Sequence, residues 1–176
     1  MVEFKKVYNL SDQFTAQFIA MLARWVNDPR NRMRLNAPAR NVSQPDVASY
    51  LNNGKAANRY FAGIQHRTSA KWIGMYEVTV DPRHLNASVE AMLDLTSPHL
   101  DPALSETLPA LTALLAAKGL EKAIAKVPET DAVMLRHLPR ASWTKEAHLR
   151  LELKSWSEAG QRLDLIQFGK VLVTSI

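Results

Sequence analysis

The stretch ASVEAMLDLTSPHLDPALSETLPALTALLAAKGLEKAIAKV, residues 87–127, sets the fold. Its opening, ASVEAMLDL (87–95), carries the β-branched and apolar residues of a strand. The leucine-rich middle, ALSETLPALTALLAAKG, has helical character and a helix stop at Gly119. Its end, EKAIAKV (121–127), reads as a strand again. Strand, helix and strand in so short a span predict two parallel neighbours in one sheet. The junction between the first strand and the helix, LTSPHLDPALSETL (95–108), then lies beside a crevice suited to a ligand. A helix start there offers free N–H groups and a positive dipole end, the usual means of holding a phosphate. This junction contains a proline-marked turn and no glycine.

Upstream, residues 2–8 alternate enough for a short first strand. Phe14, Phe18, Met21, Leu22 and Trp25 fall at helical spacing, with Ser11 as cap, which predicts a helix over 12–26 that stops before Pro29. A second helix is marked by Ser43 as N-cap, Pro45 in the first turn and Asp46 three residues after the cap, closing near Gly54. Then YFAGIQH (60–66) and KWIGMYEVTV (71–80) join 87–95 in a three-stranded antiparallel meander. Downstream, Thr130 starts a short helix that Pro139 ends, and TKEAHLRLELKSW and QRLDLIQFGKVLV make a hairpin around SEAG. The expected order is βααβββαβαββ, an α+β arrangement of a mixed, mostly antiparallel sheet flanked by helices. No repeat or linker divides residues 1–176, which read as a single domain.

Composition narrows the chemistry. The 176 residues are 47% apolar and 22% charged, the balance of a folded chain able to bury a core. There is no cysteine, which removes disulfides, thiolate metal sites and cysteine nucleophiles. The N-terminus MVEFKKVYNL lacks a signal-like apolar run, and no segment approaches 18 apolar residues, so a cytoplasmic protein without membrane association is expected. No histidine spacing or carboxylate pair suits a metal. The net charge of +5 is uneven: Arg24, Arg30, Arg32, Arg34 and Arg40 lie close together against one acid, Asp28. Such a rim suits an acidic ligand, with Arg30, Arg32 and Arg34 as candidate substrate-binding residues; a solvated loop is the plainer alternative. Without interleaved aromatics, nucleic acid is disfavoured.

The order of elements, with several local patterns, resembles the GNAT superfamily of N-acyltransferases, nearest the branch that acetylates ribosomal-protein N-termini. LARWVNDPR resembles that branch's first-helix ending, SVEAMLDL its fourth strand, and LSETL the opening of its cofactor-bearing helix. WTKEAHLR, followed by Gly160 and Asp164, resembles its closing run. The resemblance implies acetyl-CoA as co-substrate and a small-molecule or peptide amine as acceptor, and it allows a homodimer. It implies backbone N–H groups of Met92 to Leu95 (Met92, Leu93 and Leu95 as site residues) along the pantetheine arm, and Ser105, Glu106 and Thr107 at the cofactor helix. Glu90 is the implied base, at a position where this branch often carries Glu.

Two departures strike the cofactor site. Where the family carries two loop glycines before the helix, this chain has Leu100 and Pro102; Leu resists positive φ and Pro lacks an N–H. Asp101 between them reads as an N-cap whose carboxylate satisfies the donors a phosphate would use. After the fifth strand, PETDAVMLRHLPRAS has neither the family's Asn nor its Tyr acid, leaving His137 as the candidate replacement. Two functions follow: an acyl-CoA-dependent N-acetyltransferase, or a non-catalytic GNAT-like binding module that has lost normal coenzyme A binding.

Overall fold

A computed structural model describes residues 6–172. Its elements run β1 Tyr8–Ser11, α1 Ala16–Asn27, α2 Pro29–Arg34, α3 Gln44–Asn52, a 3-10 turn at Lys55–Ala57, β2 Arg59–His66, β3 Trp72–Asp81 and β4 Asn86–Leu93. There follow α4 Leu100–Ala117, β5 Lys122–Pro128, α5 Ala132–Arg140, β6 Thr144–Lys154 and β7 Arg162–Val171. The expected order holds, with α2 added. Most of the first strand expected at 2–8 lies outside the described residues, and β1 sits further along the chain.

Local chemistry explains the shifted boundaries. Thr15, not Ser11, caps α1, its hydroxyl accepting the Phe18 N–H at 3.2 Å, because Ser11 is already held in β1 against β2. Pro29 both stops α1 and starts α2: Asp28 accepts the Arg30 N–H at 2.9 Å, and a proline in the first turn forfeits no helical hydrogen bond. The α3 start matches expectation in full. Ser43 and Asp46 form a reciprocal capping box, with Asp46 N–H to Ser43 Oγ at 3.3 Å and Ser43 N–H to Asp46 Oδ2 at 2.9 Å. Ser43→Ala is expected to destabilise the protein by about 1 kcal/mol. Urea unfolding at constant m-value checks this; an unchanged midpoint would mean α3 is held by packing alone.

One seven-stranded sheet, in the order β1-β2-β3-β4-β5-β7-β6, organises the chain. Every neighbouring pair is antiparallel except β4 and β5. Those two pair only at Asn86–Lys122, Ala87–Ala123 and Ser88–Ile124, then splay apart toward their C-terminal ends. Alternation along β3 and β4 divides the core between the two faces. Tyr76, Val78, Ala87, Val89, Ala91 and Leu93 pack with α4 and α5, whereas Trp72, Met75 and Met92 pack with Phe18, Leu22 and Trp25 of α1 and Val47 of α3. The α4 stripe Leu104, Leu108, Leu111 and Leu115 closes the first face, and Gly119 at φ +80° turns the chain into β5. No helix among the described residues is long and apolar enough to cross a membrane.

Candidate active site

The splay between β4 and β5 opens the strand edges that would otherwise pair. The Asp94 N–H donates to the Ile73 carbonyl at 2.8 Å, so even-numbered residues of β4 turn their backbone groups toward β3. Odd-numbered Ala91 and Leu93 therefore face the opening. Of the backbone donors expected at Met92 to Leu95, those of Met92 and Asp94 belong to the β3 ladder. Leu93 remains at the edge, and Leu95 lies beyond the strand with its side chain against the α4 core.

The carbonyls at that edge are already engaged. Asn31 Nδ2 donates to the Leu93 carbonyl at 2.8 Å and to the Trp25 carbonyl at 3.1 Å. Arg34 Nη2 donates to the Ala91 carbonyl, Nε to Asn31 Oδ1 at 3.2 Å, and Nη1 to Asp131 Oδ2 at 2.6 Å. Asp131 also caps α5, accepting the Met134 N–H at 3.1 Å. Arg34, Asp131 and Asn31 are 4%, 2% and 1% exposed. Burial pushes Asp131 up and Arg34 down, and their mutual attraction opposes both shifts. The result is a hydrogen-bonded brace from α2 across β4 to the start of α5.

That brace corrects the expectation for Arg34, which is an internal residue and offers no charge to the rim. The sequence signal was an arginine at the end of a six-residue helix; nothing local distinguishes it from its exposed neighbours. Arg30 stays on the surface, paired with Asp28 at 2.6 Å. Arg32 bonds the Val26 carbonyl at 3.4 Å, Asn27 Oδ1 at 3.2 Å and the Arg40 carbonyl at 3.0 Å, tying the α1–α2 turn to the next loop.

The start of α4 was expected to hold phosphate unless Asp101 had replaced it. Phosphate donors are indeed scarce, but Asp101 is not the cap. The helix begins earlier, with His99 at the cap and no side-chain cap bond. The N–H groups of His99 and Leu100 go to Ser97 Oγ and O, each at 3.2 Å; Pro102 has none; and Ala103 joins the helical ladder to the His99 carbonyl at 3.0 Å. Asp101 instead reaches α5, accepting from Arg136 Nη2 and lying 2.9 Å from His137 Nε2. The His137 contact, with help from Arg136, holds its carboxyl below the usual range. A negative charge with one unspent neighbouring N–H does not fit a pyrophosphate.

The same contact corrects His137. It is 1% exposed on the inward face of α5 beside Met134 and Leu138, with its Nε2 against Asp101. Two of the expected cofactor residues on α4 also turn away from the opening. Thr107, 1% exposed, bonds the Tyr76 hydroxyl at 2.9 Å, and Glu106 accepts the N–H groups of Val7 and Tyr8 at 3.2 and 3.1 Å. Ser105 is exposed and bonds its own helix at the Asp101 carbonyl, 2.9 Å away. Helical rotation is the reason: the side chains of residues 105, 106 and 107 point in three directions about 100° apart.

Glu90 lies two residues past the last β4–β5 pair, on the α1–α3 face, and is exposed. Its carboxylate has no hydrogen-bond or ion-pair partner among the described residues. Loss of surrounding water, then the nearby charge of Glu77, push its carboxyl up from the ordinary value, with Arg59 opposing. Sequence reasoning missed the companions. Glu77 is the register partner of Glu90 across β3–β4. Tyr50 of α3 donates to Glu77, with its hydroxyl 2.7 and 2.8 Å from the two carboxylate oxygens, and Arg59 Nε lies 3.6 Å from Glu77. The strict alternation of β3 and β4 could have placed Glu77 on the Glu90 face.

No family model matches this sequence, and no curated protein matches it. Solved structures do match in fold. Spermidine N-acetyltransferase from Vibrio cholerae, in complex with CoA and spermine, aligns over 94% of this chain and 96% of its own at TM-score 0.78 and 12% identity. RimL, a ribosomal L7/L12 alpha-N-protein acetyltransferase in complex with coenzyme A, aligns over 98% of both chains at TM-score 0.78 and 14% identity. A GNAT-family acetyltransferase from Bacillus anthracis aligns over 94% and 95% at TM-score 0.73 and 9% identity. The fold is the one these GNAT acetyltransferases share.

Proposed function

We propose that this chain is an N-acetyltransferase that moves an acetyl group to the nitrogen of a small-molecule or peptide amine, with acetyl-CoA as donor and in a cytoplasmic setting. The observation that carries the reading is the unpaired Glu90 carboxylate beside the β4–β5 opening. An amine is protonated at neutral pH and has no lone pair to attack with. Glu90 takes the ammonium proton and frees that pair; a raised proton affinity makes it the better base. The fold supports acetyl transfer as the general class. The α4 terminus does not fit the pyrophosphate of coenzyme A.

A second reading, a non-catalytic GNAT-like binding module, is favoured by that terminus and by the brace at Ala91 and Leu93. Calorimetric titration with acetyl-CoA, followed by mass spectrometry of an amine panel, separates the two. Binding with transfer supports the enzyme; no heat and no product supports the module. A linked expectation concerns Asp101. Asp101→Asn removes a like charge from the helix start and should strengthen coenzyme A binding by about two- to fivefold at low salt. Weaker binding in that variant would show that Asp101 contributes through Arg136 and His137 instead.

A further inference from the structure

We propose that Glu77 is a positioning residue that keeps a fixed negative charge beside Glu90 and so makes Glu90 the better proton acceptor. The inference rests on the acetyltransferase reading and adds a residue that this reading does not require.

Glu77 and Glu90 stand directly opposite each other on antiparallel strands and point to the same face. Like charges in that arrangement oppose folding, so the sheet gains nothing from the pair. The two carboxylates are nevertheless treated differently. Glu77 is fixed from two other elements. Tyr50 of α3 donates to it from 2.7 and 2.8 Å, and Arg59 of β2 lies 3.6 Å away with its guanidinium 5.1 Å from the Tyr50 ring centre. Glu90 has no such partner among the described residues, and its side chain reaches the surface. Two carboxylates side by side on one face, one anchored and one free, divide into a standing charge and a titrating group.

The other surroundings of Glu90 do not supply that charge. The helix α1 presents Phe18, Leu22 and Trp25 to this side of the sheet, and Met75 and Met92 are its apolar neighbours on β3 and β4. Lys126 of β5 shares the face across the splay, as the Ser88–Ile124 register requires, and Arg59 of β2 acts on Glu90 in the sense opposite to Glu77. Among the described residues, Glu77 is therefore the negative group that works against Arg59 at Glu90. In the reaction, the acceptor ammonium N–H bond breaks, its proton passes to a Glu90 oxygen, and the electron pair stays on nitrogen. Glu77 is unchanged throughout.

The test is a carboxyl-carbon NMR titration of the full chain labelled at glutamate, with the Glu90 signal assigned by its loss in Glu90→Gln. Glu77→Gln should move the Glu90 midpoint down toward the ordinary carboxylate range, and Arg59→Gln should move it up. The acidic limb of kcat/KM against pH should move in the same directions, with Glu77→Asp restoring much of the native profile. Opposite displacements by two partly exposed neighbours are not a signature of damaged packing. An immobile Glu90 midpoint in Glu77→Gln, or one that rises, overturns the proposal even if the enzyme is active; should that variant not fold, an Arg59→Gln midpoint that stays or falls overturns it. Correct displacements in a protein that transfers no acetyl group would leave the coupling standing and remove the acetyltransferase reading.

Discussion

Glu90→Gln is expected to lower turnover by roughly 10²- to 10⁴-fold while leaving donor affinity nearly unchanged. The amide keeps the size of the side chain and cannot take a proton from the acceptor. The same substitution makes an opposite prediction for stability. The carboxyl of Glu90 is raised in the folded protein by desolvation and by Glu77. At pH values above its folded midpoint the native state therefore carries an ionised group it disfavours relative to the unfolded chain. Gln removes that burden, so thermal stability should rise at neutral pH. The gain should fade as pH falls below the folded midpoint and vanish below the unfolded one, where both states are protonated. Paired activity and melting measurements at two pH values check this. Loss of activity together with loss of stability would mark Glu90 as a structural residue and withdraw it as the base.

Arg34→Ala is expected to destabilise the protein by about 3–5 kcal/mol, because it leaves Asp131 as a buried charge without a partner. The Ala91 carbonyl and Asn31 Oδ1 lose donors in the same step. Replacing both charges, with Arg34→Met and Asp131→Asn together, should recover much of the loss, since no lone charge remains and Asn still caps a helix. Equilibrium unfolding in urea measures both variants. A single-variant effect under about 1 kcal/mol would mean that water reaches the pair. A double variant as damaged as the single would place the brace's value in the donors of Arg34 rather than in the ion pair.

How much of this was legible in the chain follows the reach of each interaction. Periods and caps are local. Residues 87–95 and 121–127 announced two strands, and Ser43, Pro45 and Asp46 announced α3; the parallel pairing and the capping box follow from those signals. Glu90 beside the opening was legible too, because a strand position and a crossover place it there. The scarcity of phosphate donors at α4 was readable from Pro102 itself. What Asp101 does was not: an acid before a proline reads as a cap, and the contact with Arg136 and His137 on α5 decided otherwise.

The remaining corrections share that cause. Arg34 meets Asp131 across 97 residues of sequence, and Thr107 meets Tyr76 across 31. An arginine in an arginine-rich segment looks solvated until packing buries it, and a helical threonine looks available until the helix's rotation is fixed by its leucine face. The sequence alone determined most of the strands and helices, α2 and the bounds of β1 excepted, because hydrophobic period and capping act within a few residues. Tertiary structure alone decided which polar side chains were buried, paired or left free at the opening, because those fates depend on what the sheet and helices bring against them from elsewhere in the chain.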